Sequence, residues 1–331
     1  MAIKDYTKFK GLDNIGDSQF MIILENNLKA FCDWSFLEIG AWFDVAIPTS
    51  GAFGGNFHQL RLVDDPAYDA GQVWETPRKD LVWETGVSYP SGLATTQPIQ
   101  ISGVFVDGTT ASSFYGPGDS TYGHHINYPL GRVVFDSAIS TTSTVYMNHS
   151  YRWVQIYLAD KAPWWQELQY RSFRVDGAHV TQTGSGDWSI GGQHRVQLPA
   201  IVIEAVPRRY SEGYELGNAN LRTYQDVLFH VVAESKWQRN QLVDILSMQQ
   251  DKSIYLFNTN KVAEEGVYPL DYRGMLASGN PLMYPNLVAA SGYRWKECRF
   301  RNATLSEVES PHPALHEGAV RTTFEVIVGN T

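Results

Sequence analysis

Residues 228–257 read LFHVVAESKWQRNQLVDILSMQQDKSIYLF, and their pattern predicts a strand, a capped helix and a returning strand. Ser235 precedes Gln238 by three residues, which is the spacing of a capping box, where each side chain bonds the other residue's backbone amide. The helix predicted over 236–249 has an apolar stripe formed by Leu242, Ile245 and Leu246. We therefore expect a strand–helix–strand unit over 226–258, with its helix packed on a sheet.

A second amphipathic helix is predicted over 18–31, where apolar residues recur at three- and four-residue steps: Met21, Leu24, Leu28 and Phe31. Most of the remaining chain consists of runs that mix β-branched and aromatic residues with polar ones and are separated by Gly, Pro, Asn and Asp clusters. These runs lie at 99–108, 131–139, 143–160, 194–206, 293–310 and 321–330. The sequence therefore predicts a β-dominated α+β fold, with a twisted antiparallel or mixed sheet or a sandwich, the two helices, and long loops or arms.

The domain organisation follows from a change in composition. The stretch GVSYPSGLATTQP, 86–98, is rich in Gly, Ser, Thr and Pro and predicts a boundary. Residues 1–90 are expected to form an N-terminal helix and an extended aromatic arm. Residues 91–331 are expected to form a β-rich core domain, interrupted by a long loop at 112–131 that projects from the sheet.

Composition and charge exclude several classes of protein. The chain has 331 residues, of which 43% are apolar, enough for a buried core. Its 26 Lys plus Arg against 35 Asp plus Glu give a formal charge of -9, which argues against gripping a phosphate backbone. No apolar window is long enough to span a membrane, and the first residues do not resemble a secretory signal. We expect no membrane partner, and folding in a reducing cytoplasm.

Motifs that carry chemistry are scarce. The two cysteines, Cys32 and Cys298, lie far apart without a metal-binding spacing around them. The pair His124 and His125 lacks a third metal ligand at a defined spacing. The glycine-rich run 183–194 matches neither GxxxxGK[ST] nor GxGxxG, the glycine patterns that bind phosphate groups. Pairs of carboxylates that assemble only in space leave no such trace. We therefore expect no catalytic residue, no metal and no cofactor, and a protein that is not an enzyme.

The segment FCDWSFLEIGAWFDV, 31–45, has five aromatic side chains, and its only charges are acidic. A membrane-surface helix would need Lys or Arg on its polar face, and the segment has none. Three interpretations of the segment remain: its rings line a carbohydrate groove, form the core of the subunit, or contact another subunit. Composition does not separate the last two, since interfaces and cores both favour aromatic residues. The candidate subunit contacts are Trp34, Phe36, Trp42, Phe43, Trp74, Trp83, Trp164 and Trp165.

Four blocks carry a resemblance to a known class: FCDWSFLEIGAWFDV, HINYPLGRVVFDSAI, YRWVQIYLADKAPWW and the unit at 228–257. Together they resemble virion structural proteins of tailed bacteriophages, in particular neck and tail-completion proteins, including tail terminators. The resemblance implies a non-enzymatic subunit of a ring in the head–tail connecting region, through which DNA passes without specific binding. It implies as partners further copies of the chain and either the portal or adaptor complex or the tail tube and sheath. The expected location is the virion, assembled in the cytoplasm of a bacterial host.

Two alternatives come from other functional classes. The first is a β-sandwich module of a phage tail that binds a glycan or a receptor, with Trp188, Tyr122 and His124 near the ligand. The second is a glycan hydrolase on a β scaffold, which would use carboxylates brought together by the fold.

Overall fold

The computed structural model describes residues 17–47, 58–84, 86–91, 94–170, 180–184, 186–191, 194–214, 221–277, 282–308 and 312–328. The fold is α+β with β dominant, at 41% strand and 20% helix, which confirms the predicted class. Its largest element is a curled sheet of six strands, with smaller sheets around it.

The elements of the fold follow in chain order. The helices are α1 (Asp17–Glu38), α2 (Pro163–Tyr170), α3 (Lys236–Ser247), α4 (Thr259–Glu264) and α5 (Asn286–Ala289). The first ten strands are β1 (Trp42–Val45), β2 (Arg61–Leu62), β3 (Val73–Glu75), β4 (Tyr89–Ser91), β5 (Ala94–Thr96), β6 (Val104–Val106), β7 (Phe114–Tyr115), β8 (His124–Asn127), β9 (Arg132–Phe135) and β10 (Val145–Tyr146). The others are β11 (His149–Arg152), β12 (Gln155–Leu158), β13 (Val180–Gly184), β14 (Asp187–Ile190), β15 (His194–Gln197), β16 (Ala200–Gly213), β17 (Leu221–Ala233), β18 (Ser253–Phe257), β19 (Arg294–Glu307) and β20 (His316–Val328).

The six-stranded sheet has the order β12-β16-β17-β20-β19-β18. The pair β12 and β16 is parallel and every other pair is antiparallel, so the sheet is mixed. Alternate residues of its long strands face α1 and α3 and form the main core, for example Ile203, Phe229 and Phe324. This arrangement buries the apolar stripes of both helices on one face of the sheet.

On the opposite face of the sheet, one end is covered by α2 and by the three-stranded sheet β13-β14-β15. These elements pack on Ala200, Val202 and Val232. The rings of Trp164, Trp165 and Trp188 lie in this second core. A third core lies between the four-stranded sheet β2-β3-β9-β8 and the three-stranded sheet β10-β6-β7. The large apolar side chains are therefore buried in several separate cores, each formed by different sheets.

Helix α3 confirms the predicted helix, although it ends at Ser247, two residues before the predicted Gln249. The oxygen of Ser235 accepts a hydrogen bond from Gln238 N at 3.2 Å, as the capping spacing predicts. The second half of the box is absent among the residues that the structure describes, because Gln238 Oε1 has no hydrogen-bond partner there. The strands on either side of α3, β17 and β18, complete the predicted unit.

Helix α1 differs from the prediction. The apolar spacing predicted an end at Phe31, but the helix continues to Glu38. Its last turns are stabilised by tertiary packing, because Phe36 joins the main core and Leu37 packs with Val82 and Val87. Half of the aromatic segment is therefore helical, and only its last residues form a strand, β1.

The strand pairings cross the predicted boundary at residue 90. Strand β1 pairs with β11, and β3 pairs with β9, so the described part of 17–90 is integrated with the β-rich region. The predicted arm is therefore partly strand, because its short strands pair with strands from later parts of the chain. The predicted loop at 112–131 contains β7 and β8, which pair with β6 and β9. Residues 48–57 of the arm lie outside the described ranges.

None of the described helices is both long and apolar enough to cross a membrane.

Candidate interaction surface

The long strands of the six-stranded sheet extend beyond the core. Residues 200–205 of β16 are almost entirely buried, whereas 207–213 are mostly exposed. Strand β17 shows the mirror pattern, with its exposed residues at Leu221 and its buried ones toward Ala233. The two strands pair along this whole length, with a bulge between Ala205 and Arg209. They therefore form a long hairpin whose outer end is mostly exposed.

The outer edge of this hairpin is uncovered. Strand β12 pairs only with Ala200–Ile203 of β16. The next outward amide, Ala205 N, donates to Glu25 Oε1 of α1 at 2.9 Å. Beyond it, no strand in the described ranges pairs with that side of β16. Ser211 and Gly213 pair with Thr223 and Leu221, which alternate along β17 in phase with Val227, the partner of Ala205. Their amides therefore point to the open edge, as that of Ala205 does.

The composition of this edge limits unwanted pairing. Pro207 lies in the bulge and is followed by two arginines, Arg208 and Arg209. Proline, bulges and charged side chains on an edge strand are devices that prevent indiscriminate sheet extension. The regular stretch that follows, 210–213, is therefore the part of β16 able to accept another strand.

A second uncovered edge lies on β19. Its earlier residues are covered, because Phe300 exchanges backbone hydrogen bonds with Lys252 and Asp251 and Ala303 N donates to Gln250 Oε1 at 3.4 Å. After Ala303 no strand of the described ranges lies beside β19 on that side. Residues 304–306 are exposed, with Leu305 at 51%.

The two open edges are complementary in position and direction. They lie on opposite sides of one sheet, and β16 and β19 are antiparallel to each other through the intervening pairings. Each open stretch is at the end of its strand, so the two stretches are at opposite ends of the sheet. An antiparallel contact between 210–213 of one copy and 304–306 of the next would extend the sheet with an offset along the strands.

A polar groove of about 540 Å³ lies on the sheet face between these edges. Arg301 of its lining donates to the buried carboxylate of Glu325. The lining carboxylate of Asp226, also buried, accepts from Arg321 and from Thr323 Oγ1, the latter at 2.6 Å. Burial raises the pKa of Asp226, but these hydrogen bonds outweigh it, so the pKa is lowered and the carboxylate stays ionised. The guanidinium groups are thus held in place and half exposed, ready to bind carboxylates or carbonyls.

Four of the eight aromatic residues singled out by the sequence are enclosed within the chain. Trp74 lies in the third core, Phe36 in the main core, and Trp164 and Trp165 under the sheet, each at most 6% exposed. Trp164 and Trp165 contact each other edge to face, with ring centroids 6.0 Å apart. These four rings stabilise the fold of the chain. That they also contact another subunit remains a prediction.

The other four are at least partly exposed. Trp34, Trp42 and Trp83 are half-buried, and Phe43 is 42% exposed. Phe43 packs on Tyr151 with centroids 5.5 Å apart, while Trp42 meets Tyr89 edge to face at 6.5 Å. The packed rings of Phe43 and Tyr151 form a partly exposed apolar patch on the paired strands β1 and β11.

The residues considered for chemistry do not assemble into a site. His124 is buried on β8, and its Nδ1 lies 2.8 Å from the carbonyl oxygen of Tyr122. No group of His, Cys, Asp or Glu in the described part of the chain could hold a metal ion. Trp188, proposed near a glycan, is also buried, and its Nε1 donates to Glu234 Oε1 at 2.6 Å.

Sequence reasoning did not find the two strand edges. Their local signal was weak: VPRRYSEG, 206–213, loses the apolar alternation of the preceding residues. Whether a strand edge is open depends on the lengths of its neighbours, which come from distant parts of the chain.

The chain matches no protein-family model, and the search of curated proteins found no match.

Proposed function

We propose that this chain is a non-enzymatic structural subunit of a tailed-phage virion, which joins copies of itself into a ring in the neck or tail-completion region. The observation that carries the proposal is the pair of strand edges that are open in the described part of the chain, 210–213 and 304–306, on opposite sides of one sheet.

Two different surfaces that fit each other produce a heterologous contact, which repeats around an axis and closes into a ring. Backbone hydrogen bonds supply much of the affinity in such sheet extension, while the side chains on either side set the register. The offset between the edges resembles the stagger by which strands close into a barrel. The exposed edges would otherwise favour aggregation, and pairing between copies removes them.

The surroundings of the edges support contacts with adjoining virion proteins. The ordered arginines of the sheet-face groove are suited to acidic segments of a portal, adaptor or tail-tube protein. The apolar patch around Phe43 lies on separate elements and would contact a second neighbour. A formal charge of -9 is compatible with DNA passing the ring without being held.

The test is the mass of the purified chain in solution, measured by native mass spectrometry and light scattering. The wild type should form a closed multiple of its 37.2 kDa mass. Ser211→Pro removes an outward amide and Leu305→Pro does the same on β19, so each should yield monomers. Ser211→Ala keeps the amide and should assemble like the wild type. A monomeric wild type, or assembly unaffected by both proline substitutions, would contradict the proposal.

A further inference from the structure

A cleft of about 500 Å³ lies between α1, strands β11 and β12, and the segment 266–277. This volume is typical of sites for small molecules. Its lining shares no residue with the two strand edges or with the sheet-face groove. The lining includes Asp33, Trp83, Arg152, Gln155, Tyr268 and Tyr272.

The charge at the base of this cleft is compensated within the chain. Arg152 is 4% exposed, pairs with Glu84, and has its Nε 3.3 Å from Asp80 Oδ1. Burial raises the pKa of both carboxyl groups more than the neighbouring guanidinium lowers it. Each cation in the described lining already has a carboxylate partner: Lys29 has Asp33, Arg152 has Glu84 and Asp80, and Arg273 has Asp271. The described lining therefore does not call for an anionic ligand.

Two polar atoms in the wall lack partners in the part of the chain that the structure describes. Asp33 Oδ2 pairs with Lys29 Nζ at 2.5 Å, but Asp33 Oδ1 is buried without a hydrogen bond. Gln155 is 2% exposed, and its Oε1 accepts from Tyr157 while its Nε2 donates to no described residue. Buried polar atoms nearly always have partners, so this acceptor and this donor point to a ligand.

Aromatic side chains form the mouth of the cleft. Trp83 is half-buried, Tyr268 is 45% exposed and Tyr272 is 95% exposed. Rings of this kind provide an apolar face together with a polar edge. The cleft thus combines stacking surfaces at the entrance with hydrogen-bonding groups below.

We propose that this cleft binds a neutral, polyhydroxylated ligand, namely a monosaccharide or disaccharide unit. A sugar hydroxyl donates to Asp33 Oδ1, and a second hydroxyl oxygen accepts from Gln155 Nε2. The apolar face of the sugar ring lies on Tyr272 or Tyr268. A charged ligand is disfavoured because the ionised groups at the base pair with one another. The site is independent of ring formation.

The test is saturation-transfer NMR and calorimetry of the full chain with free glucose, galactose, rhamnose, N-acetylglucosamine and their disaccharides. At least one sugar should bind the wild type. Binding should weaken about tenfold or more in Gln155→Leu, which removes the donor, and in Asp33→Asn, which leaves a single acceptor oxygen for both Lys29 Nζ and the sugar hydroxyl. Tyr272→Ala should also weaken it, and this exposed position has little role in folding.

Asp251→Asn is the matched control, since it makes the same chemical change on an exposed turn far from the cleft in sequence. It should bind sugar like the wild type. Thermal unfolding of each variant separates loss of binding from loss of fold. The proposal is overturned if no sugar of the panel binds, or if the sugar that binds is retained equally by all three cleft variants.

Discussion

The side chain of Asn27 in α1 forms two hydrogen bonds with the backbone of Phe257 in β18. Asn27 Nδ2 donates to Phe257 O at 2.9 Å, and Phe257 N donates to Asn27 Oδ1 at 2.8 Å. Asn27 is fully buried, so its amide takes the place of a neighbouring strand at this edge of the sheet. The open stretches of β16 and β19 have no such cover in the described ranges.

Removing this cover should cost stability. Asn27→Ala leaves a buried amide and a buried carbonyl of Phe257 without partners, and should lower the free energy of unfolding by about 2–4 kcal/mol. Asn26→Ala is the control, because the one side-chain hydrogen bond that Asn26 makes in the described part of the chain returns to Ile22 O of its own helix. It should cost less than about 1 kcal/mol in urea denaturation. If both variants lost the same free energy of unfolding, the hydrogen bonds between Asn27 and Phe257 would contribute no more to stability than the bond of Asn26 within its helix.

The burial of the aromatic residues predicts two classes of substitution. Trp164→Ala empties a site that is 4% exposed and should lower the free energy of unfolding by about 3–5 kcal/mol. Phe43→Ser changes a ring that is 42% exposed and should lower it by less than about 1 kcal/mol. Denaturant unfolding monitored by circular dichroism measures both. A large loss in Phe43→Ser would place that ring in the core.

Stability should depend on pH through His149. Burial lowers the pKa of His149 from its ordinary 6.5 to about 4. The unfolded chain takes up this proton near the ordinary value and the folded chain only near the lower one, so stability is lost as the pH falls through that interval. The loss should reach up to about 3 kcal/mol.

The matched variant is His149→Gln. Its free energy of unfolding should fall less steeply with acid than that of the wild type, when urea unfolding is measured from neutral pH to about pH 4. The difference at neutral pH gives the effect of the substitution on packing alone. Parallel curves for the two proteins would exclude His149 as the cause.

Both thiols should be unreactive in the folded chain. Cys32 and Cys298 are buried, and burial raises the pKa of each thiol. Because the thiolate is the reactive species, a disulfide reagent should label neither residue under native conditions and both in denaturant. Rapid native labelling of Cys32 would mean that the end of α1 opens.

Local patterns predicted the elements but not their limits. The cap at Ser235 and the stripe of α3 are properties of neighbouring residues, and both appear as expected. The continuation of α1 to Glu38 depends on Phe36 and Leu37 finding cores made by distant strands, which no local spacing reveals. Tertiary packing therefore decided what helical periodicity left undetermined.

The candidate sites were beyond sequence reasoning for a similar reason. The cleft brings Asp33 together with Gln155, residues that lie on different elements and have no spacing relation. The open edge of β16 exists because β12 ends at Leu158 while β16 continues to Gly213. Aromatic content alone did not separate buried rings from exposed ones. Trp164 is buried and Phe43 is exposed, yet they occur in equally aromatic segments.

Amide hydrogen exchange of the assembled wild type, read at 210–213 and 304–306, tests the pairing of the two edges most directly. Both stretches should be protected in the ring and should exchange rapidly in the Ser211→Pro monomer, because no strand in the described part of the chain pairs with their outward side. Rapid exchange of both stretches within an intact ring would show that the copies meet elsewhere, and would contradict the account.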